Sequence, residues 1–236
     1  MLKHFFALLI IQSLFYTIAT ANENDLTLNT SITFPFPMKN SDRYLDEILI
    51  EAFKRINKTV HIVEKPAERS IKDTNEGRGD GEFIRVAGLS KIYPNIIQVP
   101  EEILKFEFVA FTKRKNITIK EWEDLSHYNV GIIIGWKILE KNIKKSYRRH
   151  SFPEPKHMFK MLEKDRITIA VYSKHMGLKV INELGYNNIN VISPPLTVQP
   201  MYLYLHKKHK KLVPLLVQSL KSMKEDGIFQ KIGDEN

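Results

Sequence analysis

Short apolar segments alternate along the chain with longer segments whose apolar residues recur every three or four positions. A short apolar run between polar residues is typical of a strand, and the longer spacing places side chains on one helix face. The clearest helical stripe consists of Leu45, Ile48, Leu49, Ala52 and Phe53. Because the two kinds of segment alternate to the end of the chain, the pattern predicts an α/β architecture with parallel strands.

The same pattern locates the individual elements. We expect strands at 26–32, 60–63, 81–86, 108–112, 130–134, 167–172, 190–192 and 201–205. We expect helices after Ser41 or Asp42 and at 67–75, 136–147, 157–164, 176–184 and 212–224, with a helical turn at 121–125. In the first helix acidic residues come early and basic residues late, the order that the helix dipole favours.

The first residues have the organisation of a cleaved secretory signal. Lys3 belongs to a short basic start, an apolar run extends from 5 to 14, and Ala19-Thr20-Ala21 has the small-x-small form of a cleavage site. A membrane anchor is the alternative, but the apolar run is shorter than the roughly 20 residues that span a bilayer. We therefore expect residues 1–21 to be a signal peptide and the mature protein to be periplasmic.

The chain contains no cysteine. Disulfide bonds, thiolate zinc sites and cysteine nucleophiles are therefore excluded. The cysteine that attaches many bacterial surface proteins to lipid is also absent, so we expect no lipid anchor. The fold has to be stabilised by its hydrophobic core, and a chain of this length can build one large core or two small ones.

The formal charge is +9, and basic residues cluster between Lys141 and Arg149 and again at 207–211. One interpretation is a surface that binds nucleic acid or an anionic membrane. No nucleic-acid motif is present, so we favour the interpretation of solvated lysine-rich surfaces. A basic surface still attracts anionic ligands over long distances.

The usual sequence motifs of catalysis are absent. The chain has no G-x-S-x-G motif, phosphate-binding glycine loop or dinucleotide fingerprint. His206 and His209 lie close together, but their segment is rich in lysine and repels a metal cation. We therefore expect no metal site, no cofactor and no enzymatic activity.

Four segments, in this order, resemble the bacterial extracellular solute-binding proteins of the polar amino acid transporter class. The segments are NEGRGDGEFIR (75–85), WEDLSHYNVGIIIG (122–135), MLEKDRITIAVYS (161–173) and LKSMKEDGIFQKI (220–232). The resemblance extends from about residue 26 to the end of the chain.

The resemblance implies a type II periplasmic-binding fold, in which two α/β lobes are joined by two crossing strands. Lobe I is expected at 22–112 and 199–236 and lobe II at 113–198, with crossings near 109–113 and 197–202. It also implies that the ligand binds between the lobes, which close on it by a hinge and so shift an equilibrium between open and closed forms.

The chain departs from the family at its amino-acid anchors. Trp136 and Lys137 replace the usual threonine or serine after the second-lobe glycine, and Ser173 replaces the aspartate that binds the ligand's α-ammonium group. Ile92 and Tyr93 occupy the region of the carboxylate-binding arginine. The resemblance therefore implies a small polar or carboxylate-bearing ligand and leaves open whether it is an amino acid.

The candidate ligand-binding residues lie where predicted strands and turns reach the cleft, since open α/β sheets bind ligands beyond the carboxyl ends of their strands. Arg85 ends a strand and can bind a carboxylate, which we favour over the alternative of a salt bridge, for example with Glu82. The turn before Trp136 and Lys137 can receive an anion on its amides. The full set is Phe34, Arg69, Glu82, Arg85, Gly135, Trp136, Lys137, Tyr172 and Ser173.

The other candidates contribute aromatic, hydroxyl and charged groups. Phe34 lies in the family's first binding loop and can stack on the ligand or pack beneath the loop. Tyr172 and Ser173 end a lobe II strand with hydroxyl groups that reach the ligand or, for one of them, the core. Arg69 opens a short helix near the same edge and is either a ligand contact or an ordinary exposed arginine.

The function expected from this sequence is capture of a small polar solute and its delivery to a membrane transporter permease or to a sensor. The transporter would be of the ABC type that serves amino acid transport, and the protein would act as a monomer without nucleic acid. Two alternatives stay open: a dehydratase of a small cyclic acid with Glu82 or Glu68 as the acid, and a basic protein whose surface binds polyanions.

Overall fold

The computed structural model describes residues 24–31, 44–144 and 148–234. The predicted signal peptide, the N-cap of the first helix and the loop that contains Phe34 lie outside the described residues. No helix within the described ranges is both long and apolar enough to cross a bilayer.

Lobe I is built around three parallel strands. β1 (Asp25–Thr30) pairs with β2 (Thr59–Glu64) on one side and with β3 (Gly81–Arg85) on the other. Helices α1 (Tyr44–Lys54) and α2 (Ala67–Asn75) lie in the connections between them. The predicted apolar stripe of α1 is buried, and burial of such a stripe supplies most of the stability of a helix in a protein.

Lobe II repeats this arrangement around β6 (Val130–Ile133). β6 pairs in parallel with β7 (Arg149–Phe152) and with β8 (Ile169–Ser173). Each of these strands leads into a helix, as the βαβ pattern of the sequence predicts. The helices are α3 (Lys137–Asn142), α4 (Pro155–Glu163) and α5 (Lys174–Glu183).

Two long strands connect the lobes. β5 (Leu104–Thr112) and β9 (Asn190–His206) pair with each other in antiparallel orientation. β5 also pairs with β8, and the end of β9 pairs with β3 and with the short β4 (Ile96–Gln98). The predicted two-lobed α/β architecture with two crossing strands is therefore confirmed. The predicted boundaries at 112/113 and 198/199 stay predictions, because β9 is continuous through both lobes.

The end of the chain returns to lobe I. Helix α6 (Val213–Glu225) packs on α1, where the Ser219 hydroxyl donates a hydrogen bond to the Ala52 carbonyl at 2.8 Å. Arg55 on α1 pairs with Asp226 at 2.7 Å. A last helix, α7 (Ile228–Asp234), follows Gly227, so lobe I contains both the first and the last elements of the described chain.

Some elements differ from the sequence expectations for identifiable reasons. The helix expected at 136–147 ends at Asn142, and β7 follows it as a polar edge strand without the apolar run by which strands are predicted. The two strands expected at 190–192 and 201–205 are parts of the single strand β9. Pro194 and Pro195 interrupt its strand pattern, and they lie where the register between β5 and β9 shifts. Neither β4 nor α7 was expected.

The crossing strand β5 is held against lobe II through a close contact at Gly177 of α5. A Cβ atom at this position would lie 2.2 Å from the Phe111 ring of β5. Phe111 is fully buried, and its ring lies edge to face on Phe159 with a centroid distance of 5.2 Å. Because neighbours hold this ring on several sides, it has little room to move.

We predict that Gly177→Ala destabilises the protein, although alanine usually favours a helix by up to about 1 kcal/mol. Overpacking against a buried ring costs about 1–3 kcal/mol, so the free energy of unfolding should fall in chemical denaturation. The neighbouring Leu178 is 45% exposed, and Leu178→Ala is the control, with an expected change of about 0.5 kcal/mol or less. A Gly177→Ala variant as stable as the wild type would contradict the close contact.

Candidate functional site

Arg85, at the carboxyl end of β3, forms one of the contacts between the two lobes. Its guanidinium donates hydrogen bonds to Glu82 Oε1 at 2.5 Å, to the Ala67 carbonyl at 2.7 Å and to the Gly135 carbonyl at 3.3 Å. Glu82 and Ala67 belong to lobe I, and Gly135 belongs to lobe II. The Arg85 side chain is 6% exposed, so these three acceptors replace water around its charge.

An irregularity in β3 brings Arg85 and Glu82 together. Residues three apart in a regular strand point to opposite faces, yet these two side chains form an ion pair. The β3–β9 register shifts between them, and Ile84 has a φ of 60°. A β-branched residue in this conformation costs on the order of 1–3 kcal/mol, so the ion pair coincides with a strained backbone.

Two opposing effects act on the pKa of Glu82 in this ion pair. The Glu82 side chain is fully buried, and burial raises its pKa above the ordinary value for a glutamate, while the Arg85 guanidinium acts in the opposite direction. The sequence left open whether Arg85 and Glu82 pair with each other, and the structure shows that they do.

Trp136 is the centre of an aromatic cluster that fills the inner part of the cleft. Its ring stacks on Tyr172 of β8 at a centroid distance of 4.5 Å and 30° between the planes. The rings of Phe108 and Phe106, both on β5, lie 5.9 and 6.4 Å from it. Trp136 and Tyr172 are buried, and burial raises the pKa of the Tyr172 hydroxyl. The cluster therefore belongs to the core as well as to the cleft wall.

Lys137 forms a second charged contact between the lobes. Its Nζ lies 2.5 Å from Glu68 Oε2, at the start of α2 in lobe I, and 2.9 Å from Glu140 Oε2 on its own helix. Burial lowers the pKa of Lys137, but the hydrogen bonds to the two carboxylates outweigh burial and raise it above the ordinary value. Burial acts to raise the pKa of Glu68. The hydrogen bonds from Lys137 and Lys72 outweigh burial, so the pKa lies below the ordinary value for a glutamate.

Gly135 is where the backbones of the two lobes touch. Its φ is +84°, and a Cβ atom would lie 2.4 Å from the Glu68 nitrogen and 2.8 Å from the Ala67 carbonyl carbon. Its own amide donates a hydrogen bond to Glu140 Oε1 at 2.7 Å. Only glycine fits both this conformation and this approach.

The space between the lobes is divided into an inner cavity and an outer groove. The inner cavity measures about 30 Å³ and is bordered by Arg85, Phe108, Trp136 and Lys137 among others, which is room for a water molecule or two. The outer groove measures about 560 Å³ and shares Lys137 and Ile138 with the cavity. The described side chains therefore occupy much of the central cleft themselves.

The structure gathers most of the predicted site residues, with three exceptions. Glu82, Arg85, Gly135, Trp136, Lys137 and Tyr172 form one contiguous group. Arg69 lies on α2 with its side chain 76% exposed, 3.9 Å from Asp73, and borders a different groove. Ser173 is buried at the end of β8 and borders a separate depression that β5 and the start of α5 also line. Phe34 lies outside the described residues.

Two residues of this group were not among the predicted site residues. From the sequence, Glu68 is a possible acid, a possible partner of a ligand ammonium group or a salt-bridge partner of an arginine, and nothing singles out Glu140. Glu140 lies three positions after Lys137 in the first turn of α3, which is the spacing of an ion pair on one helix face. Nothing in the sequence links Glu68 to Lys137, because the two residues meet only when the lobes come together.

No family model matches the chain. It is 30% identical over 174 residues to an uncharacterized protein of Shewanella oneidensis. That match covers 70% of this chain and 65% of the relative, so it spans slightly less than two thirds of the relative's length.

Solved structures resemble the whole described fold. A histidine kinase sensor domain with similarity to periplasmic binding proteins has a TM-score of 0.76 at 15% identity, over 88% of this chain and 93% of that one. An ancestral arginine-binding protein bound to arginine has a TM-score of 0.73 at 18% identity, over 89% and 96%. A substrate-binding protein of an uptake transporter from Streptococcus pneumoniae, with bound histidine, has a TM-score of 0.71 at 18% identity, over 89% and 90%.

At such low sequence identity these likenesses concern the fold alone. The chain therefore has the two-lobed, type II fold of the periplasmic binding proteins.

Proposed function

We propose that this protein is a periplasmic solute-binding protein that captures a small polar or carboxylate-bearing compound between its lobes. It would pass the compound to a transporter permease or to a sensor. The observation that carries the proposal is that cationic and aromatic side chains from both lobes meet at the boundary about which the lobes can hinge. The crossing strands β5 and β9 are the natural hinge.

The proteins of the same fold support this proposal. Two of them are binding proteins with a bound amino acid, and a third is the sensor domain of a histidine kinase. The predicted signal at 1–21 supports export to the periplasm. We propose that the exported protein acts as a monomer.

The geometry favours binding over catalysis. A dehydratase needs a carboxyl group that is free to exchange a proton with its substrate. Glu82 is fully buried and bonded to Arg85, and Glu68 is paired with Lys137 and Lys72. Both candidate acids are therefore engaged in structural ion pairs.

A thermal-shift screen against amino acids, organic acids, polyamines and sugars should find a stabilising ligand. A ligand at about 100 times its Kd stabilises the folded state by about 2.7 kcal/mol. For a chain of this size that corresponds to a rise in Tm of roughly 5–10 °C. Calorimetry should then give one site per chain, and the ligand should be recovered unchanged after incubation.

Two results would contradict the proposal. Conversion of the compound to a product would show that the protein is an enzyme. Salt-sensitive binding to polyanions without any stoichiometric small ligand would instead support a basic surface protein.

We predict that Gly135→Ala shifts the protein toward an open form. The new Cβ both strains the backbone, by about 1–2 kcal/mol, and collides with the start of α2. X-ray scattering should give a larger radius of gyration than for the wild type. Affinity for any ligand found in the screen should fall at least tenfold, which corresponds to about 1.4 kcal/mol.

Gly185→Ala is the matched control for this variant. Gly185 also has a positive φ, +70°, but a Cβ there meets no atom within 4 Å. The Gly185→Ala variant should therefore show the loss of stability that backbone strain causes, but its X-ray scattering profile should be that of the wild type. Equal scattering profiles for Gly135→Ala and the wild type would show that the lobes do not depend on this contact.

A further inference from the structure

The outer groove between the lobes has walls from both of them. Lobe I contributes the segment from Val86 to Ile92, which follows β3, and lobe II contributes Trp122 and the exposed side of α3. Thr197 and Gln199 of β9 close the groove at the hinge. Its volume of about 560 Å³ lies within the range of roughly 300–1,000 Å³ that is typical of small-molecule sites.

The charged groups that border this groove are all positive. They are Lys91, Lys137 and Lys141, and among the described residues no aspartate or glutamate borders it. The charge of Lys137 is balanced by Glu68 and Glu140. Lys91 and Lys141 are exposed, and the ammonium group of neither forms an ion pair or hydrogen bond with a described residue. Two uncompensated cations therefore border the groove, one from each lobe.

A second groove at the same lobe boundary shows that this charge pattern is particular to one side. It measures about 530 Å³, but acidic and basic residues alternate around it. Lys72 pairs there with Glu68, and Arg78 pairs with Asp73. Its charges are largely satisfied within the protein, so it has little to offer an anion.

The outer groove also has an uncharged lining, which suits a compound that has an apolar part as well as charged groups. Trp122 offers a flat apolar surface, and Ile92, which also lines the groove, is 61% exposed. At the hinge the Gln199 amide donates to the Thr197 hydroxyl at 2.8 Å, which places polar groups at that end. The aromatic surface can stack on a flat or apolar part of the ligand.

We propose that the outer groove is the solute site and that its solute is a small compound with at least two negative charges, held between Lys91 and Lys141. This inference rests on the proposed solute-binding function and specifies its ligand. An anion that contacts one lysine from each lobe binds the closed form better than the open one, and this difference drives closure. Lysine binds carboxylates and phosphates alike as a point charge.

Calorimetry on the mature protein can test this with citrate, succinate and glucose 6-phosphate as anions and with L-arginine as the cationic comparison. We expect one of the anions to bind with one site per chain, and we expect weaker binding at higher salt. Comparing the affinities for citrate and succinate with the affinity for glucose 6-phosphate distinguishes a carboxylate ligand from a phosphate ligand. Lys91→Gln and Lys141→Gln should each weaken this binding at least tenfold.

Two controls make the result specific to the groove. Lys210 is exposed in the lysine-rich turn after β9, away from the groove, and Lys210→Gln should leave the affinity unchanged. Binding should also change tryptophan fluorescence, and the change should be smaller in Trp122→Phe, where Trp136 alone reports lobe closure.

The outcomes separate this inference from the proposed function. Binding of L-arginine but of none of the anions, with equal affinity in both lysine variants, would overturn the assignment of the groove and leave the solute-binding function standing. A wider screen without any ligand would overturn both. A fluorescence change of the same size in Trp122→Phe as in the wild type would remove Trp122 from the site and would also overturn the groove assignment.

Discussion

The buried guanidinium of Arg85 imposes the strongest constraint on this structure. A charge removed from water has to be met by acceptors of the protein, or it destabilises the fold by several kcal/mol. One of its acceptors is a carboxylate and two are backbone carbonyls, and one of these carbonyls belongs to the other lobe. The arrangement of the lobes and the solvation of this side chain are thus coupled. Separation of the lobes exposes Arg85 to water or leaves it short of an acceptor.

The aromatic cluster around Trp136 also depends on how the lobes are arranged, because it lies at the boundary between them. In binding proteins of this fold the centre of the cleft is expected to hold the ligand, whereas here Trp136 and its neighbours occupy much of it. The sequence already indicates this change, because Trp136 and Lys137 replace the small hydroxyl residue of the family and Ser173 replaces its aspartate. Only the replacement at Trp136 explains the filled centre, because Ser173 lies outside the aromatic cluster.

Much of the fold follows from local sequence patterns, whereas the contacts of the site do not. The bounds of α2 are those predicted, and the apolar stripe of α1 is buried as its spacing requires. β7 and β4 escaped prediction because they are short, and the prolines of β9 concealed its continuity. The strained conformation of Ile84 and the pair between Glu68 and Lys137 depend on tertiary structure, which no single stretch of sequence encodes.

The path of β9 also has a consequence for how the chain acquires its structure. The end of β9 lies between β3 and β4 in lobe I, and α6 then packs on α1. Lobe I therefore lacks an inner strand until the last part of the chain has been made. The strands of lobe II, from β5 to the first half of β9, form one unbroken stretch. During synthesis or export lobe II can complete its sheet first, and lobe I then assembles around the strand that arrives from it.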